Sequence, residues 1–531
     1  MNAARVTNLC ILLSQTARLF PDRIGVMQGE QRWTWSTIDR RVDAMVAALR
    51  ALEIGKGDKI LVQSRNNLQL FESCWVAFRL GAVWVPTNFR LTPPEVAYIG
   101  VSSGASVMIA EDIFAKHIDA VHAASTFLRQ VVIIGLPRDR EHAYDGLVSK
   151  HYSVEPAAAA SVVYDDPLWY FYTSGTTGKP KAATLTHGQM TFVVANHLAD
   201  LIPGTTEEDC SIAVAPLSHG AGIHALLNVA RGAATVLMPG ERLDPEVFWR
   251  LVQQHRVSNL FTVPTIVKIL VEHPAVHRYD HSSLRYVIYA GAPMYRTDQK
   301  RALDTLGKVL VQYFGLGEVT GCITVLPPQM HSADDADPNA NIGSCGRPRT
   351  GMEVAILDAQ MRVVKTDEVG EICCRGPAVF AGYHGNPEAT ANAMRGDWFH
   401  TGDLGRMDAR GLLYITGRES DMYISGGSNI YPLEVEEVLL THPGVAEVAV
   451  LGVPDDKWGE VGVAVIVRRE GSNLATPESL LIHLHGTCAR YRWPHYMVFW
   501  ESLPKSGYGK VAKKEIKSRL LADGGMRALE P

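Results

Sequence analysis

An apolar, aromatic run at residues 168–172 (Leu, Trp, Tyr, Phe, Tyr) stops abruptly at Thr173-Ser174-Gly175-Thr176-Thr177-Gly178-Lys179-Pro180-Lys181. Two glycines permit a tight backbone path, four hydroxyls line that path with donors, and Lys179 and Lys181 add positive charge. Such a loop suits a polyphosphate. It is not the P-loop, which has four residues between its glycines and a Ser or Thr after the lysine. A polar hairpin tip would account for the glycines, but not for four hydroxyls and two lysines together.

At 531 residues the chain exceeds one ordinary core and implies two to four subdomains. Hydrophobic residues at 47% and charged ones at 20% describe a soluble globular protein. A net charge of −5 offers no basic footprint and excludes nucleic acid as the expected partner. No run reaches the length of a membrane span, and residues 1–20 read as an amphipathic first helix, not a signal peptide. The eight cysteines form no CxxC pair, which argues against zinc and for a reduced, cytoplasmic enzyme. Oligomeric state is open, a homodimer being one option.

The expected fold class is α/β. Residues 59–64 read as a strand, 67–80 as a helix and 82–86 as a second strand, a βαβ unit. Further strands at 105–110 and 130–135, with more alternation from 211 to 326, imply mostly parallel sheets covered by helices. After Gly343, shorter strands at 353–357 and 370–375 suggest a small β-rich subdomain. The clearest boundary falls near Gly417-Arg418-Glu419-Ser420. A helix starting at Pro432, with Val435, Val438 and Leu439 on its apolar face, then opens a compact α+β tail.

The loop at 173–181, with further motifs in the same order along almost the whole chain, resembles the adenylate-forming superfamily of acyl-CoA synthetases, adenylation domains and luciferases. The resemblance implies an N-terminal adenylation domain at 1–417, a hinge at 418–420 and a mobile C-terminal domain at 421–531. It implies three substrates, namely ATP, a carboxylic acid and coenzyme A, with Mg2+ as metal. Thr173, Ser174, Gly175, Thr176, Thr177, Gly178 and Lys179 would then hold ATP phosphates. Gln312-Tyr313-Phe314-Gly315-Leu316-Gly317-Glu318 matches the segment that supplies the magnesium ligand, Glu318, and an aromatic face for adenine, Phe314. Gly317 stands where the family usually has a phosphate-binding threonine. Gly291, Ala292 and Pro293 match the turn against adenine and the acyl group, and Asp403 and Arg418 match the ribose-binding pair. Lys510, in a Gly-rich segment, matches the adenylation lysine, whose ammonium would stabilise charge in the transition state. Ser425, Gly426 and Gly427 match the pantetheine tunnel. The hinge position holds Ser420 instead of a charged residue. Finally, Pro216-Leu217-Ser218-His219 matches the acyl segment, with His219 as gate and Ala221, Gly291, Gly315 and Gly317 as pocket wall.

These residues point to an acid–thiol ligase that activates a fatty, aryl or alicyclic acid through an acyl-AMP. A ligase loading a separate carrier protein is the near alternative, and a non-catalytic nucleotide-binding protein the alternative from another class. A dinucleotide fingerprint at Gly220-Ala221-Gly222 is set aside, because four residues separate it from the preceding strand.

Overall fold

Strand Lys59–Gln63 and strand Val83–Thr87 run parallel, with Lys59 opposite Val83 and Gln63 opposite Thr87, and helix Leu68–Leu80 crosses between them. Asn67 begins that helix by accepting a hydrogen bond from Leu70 N at 2.8 Å. All but one of its thirteen residues are buried, so it lies between layers rather than at the surface. The computed structural model describes residues 6–156, 158–173, 179–240, 242–292, 294–418, 420–485, 487–505 and 511–523.

The βαβ unit belongs to a seven-stranded sheet that ends in Pro167–Thr173 and Lys181–Thr186. These last two strands are antiparallel, with Thr173 opposite Lys181, so the hydroxyl-rich segment joins the strands of a hairpin. Ser174, Gly175, Thr176, Thr177 and Gly178 lie outside the described residues.

A second sheet has fourteen strands. Its parallel part includes Ala234–Leu237, Cys210–Ala213, Asn259–Thr262, Tyr286–Tyr289 and Leu310–Phe314. The β-rich segment after Gly343 continues this same sheet through antiparallel pairs. Ser344–Pro348 bonds to Thr324–Leu326 on one side and to Leu413–Arg418 on the other, and Trp398–Met407 and Gly370–Arg375 follow. The first helix, Ile11–Leu19, packs Leu13, Thr16 and Ala17 inward, and Thr16 Oγ1 donates to Val229 O at 2.6 Å. Core packing therefore accounts for its inward residues, whereas Ile11 and Leu19 stay exposed.

The large sheet reaches Arg418 and a third sheet, of five strands, begins at Tyr423. Period-two alternation gives this sheet two buried faces. Along Gly459–Arg468, Ala464 and Ile466 join one apolar cluster, while Val461, Val463, Val465 and Val467 join another. Helix Pro432–Leu440 contributes Val435 and Leu439 to the first, and Ile516 and Leu520 of helix Lys513–Asp523 cover the second. All eight cysteines are unpaired, and among the described residues no helix is long and apolar enough to cross a membrane.

Candidate active site

Strand Pro167–Thr173 carries Thr173 to Glu318, where Oγ1 donates to the carboxylate Oε1 at 2.8 Å. The Tyr383 hydroxyl donates to the same oxygen at 2.9 Å. Glu318 sits in the short turn Gly317–Val319, only 5% exposed, and Phe380 N donates to its backbone carbonyl at 2.8 Å. Burial and the adjacent Glu318 charge both push the Tyr383 hydroxyl pKa upward, so it stays a donor. Among the described residues Oε2 takes no hydrogen bond. Lys181 Nζ lies 5.3 Å from the Tyr383 ring centre and Lys179 Nζ 5.5 Å from that of Tyr98. The Tyr98 hydroxyl in turn ties down Pro180 O at 3.2 Å. Two ammonium groups, three hydroxyls and a buried carboxylate thus gather around the hairpin end.

The absence of a side chain at Gly317 has a steric cause. A Cβ there would lie 2.6 Å from Phe171 Cδ1 and 2.7 Å from Thr173 Cγ2. The Phe171 ring in turn packs 4.4 Å from that of His219, tilted by 32°. Phe171 thereby links Glu318 and its turn to His219, which stands at the N-cap position of helix Gly220–Ala230. A Cβ at Gly315 would meet the backbone carbonyl of Gly321 at 2.5 Å, so chain rather than ligand occupies that space. Tyr313 stacks on Phe261 with ring centres 5.8 Å apart, and Phe314 is half-buried beside it. Gly291 and Ala292 follow strand Tyr286–Tyr289, with Ala292 exposed, whereas Pro293 lies outside the described residues.

Asp403 and Arg418 are cross-strand partners, and Arg418 Nε meets Asp403 Oδ1 at 3.0 Å. Asp403 is 5% exposed while the arginine side chain is about half open, a carboxylate held from behind with its cation facing outward. Glu371 braces this corner by accepting from Gly402 N at 3.1 Å.

The remaining expected residues lie on the small-sheet side. Ser425 pairs with Ser428 across a two-residue turn, Gly426-Gly427, with φ of 58° and 82°. That conformation requires glycine-like residues whatever passes beside them. Ser420 Oγ donates to Asp421 at 3.4 Å, and Lys513 Nζ lies 3.9 Å from the Asp421 carboxylate and 2.7 Å from Glu436. Lys510 lies outside the described residues, between Lys505 and Val511, which form a β-bridge.

Tyr383, Phe171 and Glu371 were not singled out in the sequence. Phe171 reads simply as one aromatic of a buried strand, and Tyr383 meets Glu318 from 65 residues away with no local pattern. A Glu two residues before a cysteine pair also carries no signature of its own.

A family model described as AMP-binding enzyme matches residues 13–384, and one described as AMP-binding enzyme C-terminal domain matches residues 434–510. Feruloyl-CoA synthase of Amycolatopsis sp is 37% identical over 505 residues, 95% of this chain and 97% of that protein. Indoleacetate–CoA ligase of Aromatoleum aromaticum is 30% identical over 507 residues, covering 95% and 96%. Among solved structures, o-succinylbenzoate CoA synthetase of Bacillus subtilis, in complex with its acyl-adenylate intermediate, superposes with a TM-score of 0.82. It is 28% identical, with 95% of this chain and 97% of that one covered. With both models matched in order and relatives aligned over nearly their full length, the chain belongs to the AMP-binding, adenylate-forming enzyme family.

Proposed function

We propose that this chain is an AMP-forming carboxylate–CoA ligase. The carboxylate of an organic acid attacks the α-phosphorus of ATP, pyrophosphate leaves, and the CoA thiol then displaces AMP from the acyl-adenylate. The observation that carries this reading is the convergence of Thr173 and Tyr383 on buried Glu318 at the end of the hydroxyl- and lysine-rich hairpin. Sequence relatives named as CoA synthase and CoA ligase, aligned over nearly the whole chain, support it.

Within this reading residues 173–179 bind the phosphates, Lys179 and Lys181 supplying positive charge. Phe314, with the turn at Gly291 and Ala292, faces adenine. Asp403 accepts from the ribose hydroxyls, and Arg418 holds that carboxylate in place. Glu318 fits a magnesium ion, since it is a buried hard-oxygen donor whose two hydroxyl partners both address Oε1 and leave Oε2 for a cation. A magnesium ion there would neutralise charge on the phosphates. His219, packed on Phe171, borders the entry of the acid. Lys510 brings an ammonium to the carboxylate and α-phosphate during adenylation. Residues 418–420 act as hinge, and a turn of the domain from 421 onward exchanges Lys510 for the Ser425–Gly427 loop at the site.

The test is pyrophosphate release from MgATP across a panel of carboxylic acids, each with and without CoA. Acid-dependent release, with acyl-CoA appearing only when CoA is present, is the expected result. ATP binding with no release for any acid would overturn the ligase reading in favour of a nucleotide-binding protein.

A further inference from the structure

Beneath helix Gly220–Ala230 three neighbouring strands carry polar residues in one register. Thr235 lies opposite Ser211, and Ser211 opposite Asn259. Register partners on adjacent parallel strands point to the same face, so the three side chains form a transverse row under the helix. Farther along that face the positions are apolar, namely Leu237, Ala213 and Phe261. The row is buried, and the helix adds two more buried polar residues above it, His224 and Asn228.

The hydrogen bonds among them fix the proton positions. Asn228 Nδ2 donates to the His224 backbone carbonyl at 3.1 Å, which leaves Asn228 Oδ1 to accept from Asn259 Nδ2 at 3.1 Å. Asn259 Oδ1 is therefore an acceptor, and the atom facing it at 2.9 Å, His224 Nε2, must carry the proton. Flipping either amide would set oxygen against oxygen. Burial holds His224 neutral by lowering its pKa to about 4, so its Nδ1 is a bare acceptor. Among the described residues Nδ1 has no hydrogen-bond partner, and the buried Oγ1 of Thr235 has none either. A buried hydroxyl with no partner is costly inside a protein unless something small and polar reaches it, and the His224 acceptor is open to the same kind of partner.

Ser211, Thr235 and His224 line one small cavity together with Ala221, Ala225 and Phe261. It has room for about one water-sized group. Ala221 is two residues from His219, and Phe261 stacks on Tyr313, so two residues of this lining neighbour residues of the acyl segment and of the strand that leads to Glu318.

Resting on the ligase reading, we infer that this cavity is a specificity subsite for a hydroxyl group borne by the acid at the end remote from its reacting carboxylate. A hydroxyl suits both unmet partners, because it donates to His224 Nδ1 and accepts from Thr235 Oγ1. A carboxylate would bring a second acceptor against Nδ1, and a methyl would leave both groups unpaired.

The test uses pairs of acids identical except for a remote hydroxyl, one aromatic pair and one aliphatic. Two quantities are read on the full chain: kcat/KM for AMP formation, and equilibrium binding of each acid by calorimetry without ATP. For at least one pair the hydroxylated acid is expected to be favoured by about tenfold or more in both. In His224→Leu and in Thr235→Val the ratio should fall to within about threefold of unity, while His224→Gln, which keeps an acceptor, restores part of it. Circular dichroism checks that each variant folds. Equal binding of both members of every pair to the native chain would mean that the row holds a buried water only, and would overturn the inference. So would an unchanged ratio in folded His224→Leu. Failure of the ligase reading is separate, since it would show as absence of AMP with every acid while the binding ratio still reports on the subsite.

Discussion

Residue 317 and Phe171 share one space: the Cβ that Gly317 lacks would fall 2.6 Å from the Phe171 ring. The pair behaves as a unit. Gly317→Thr alone should overpack this corner and destabilise the fold by about 1–3 kcal/mol. Phe171→Ala removes a buried ring and should cost about 3–5 kcal/mol alone, but about 0.5–1.5 kcal/mol less than that in the Gly317→Thr background, because it empties the volume the new side chain needs. Urea unfolding of the two single variants and the double variant checks this; additive losses would show that the two positions do not compete for the same volume.

Glu318 receives two hydroxyl donors on one oxygen, and their contributions should be separable. Thr173→Val and Tyr383→Phe each remove a hydrogen bond to a buried carboxylate, and each is expected to cost about 1.5–3 kcal/mol of stability. Glu318→Gln keeps the shape but loses the charge, and should lower acid-dependent ATP–pyrophosphate exchange by about 10²-fold or more. The exchange assay at saturating and limiting magnesium distinguishes a lost cation site, which excess magnesium partly rescues, from a misplaced turn, which it does not.

Lys510→Ala should separate the two half-reactions. Adenylation is expected to fall roughly 10²–10³-fold, as for loss of a charged transition-state donor. Thioester formation from supplied acyl-AMP and CoA should be nearly unaffected. Equal loss in both half-reactions, measured by single-turnover kinetics, would contradict the role given to Lys510.

Three histidines make the fold acid-sensitive in a defined window. Burial lowers the pKa of His187, His224 and His331 to about 4 each. The unfolded chain protonates them near 6.5, so between about pH 6.5 and 4 it binds more protons than the folded chain, and stability falls as pH falls. The slope should be on the order of 1 kcal/mol per pH unit for each histidine. Urea midpoints at pH 7, 6 and 5 should therefore decline, and less steeply in His331→Gln.

Much of this was legible in the sequence because it is local. The strands at 353–357 and 370–375 fall where alternation between turn residues puts them, and the βαβ unit from 59 to 87 follows from one helical and two extended apolar runs. Thr173, Glu318, Asp403 and Arg418 stand in short motifs, and the structure brings the first two together and the last two together. What escaped depends on pairings distant in the chain. Tyr383 reaches Glu318 only because residue 383 bridges to Ala183 beside the hairpin. The reason for glycine at 317 is a ring 146 positions earlier, as the difference between 317 and 171 shows. The glycines at 426 and 427 illustrate the opposite hazard, since a hairpin turn alone explains them.

The unbroken run of hydrogen-bonded strands from Leu310–Phe314 to Leu413–Arg418 acts as a ruler. Three inter-strand steps separate the strand Leu310–Phe314 from the strand Leu413–Arg418, about 14 Å across the sheet at the usual strand spacing. That distance is set by backbone pairing and by no side chain of the acyl segment. The helix Gly220–Ala230 rests on a different stretch of the same sheet, among strands 210–213, 234–237 and 259–262. On the proposed ligase reading, substitutions under that helix would retune which acid is accepted while the spacing of these strands stays the same, so that one half of the enzyme would be free to diversify as the other is held constant.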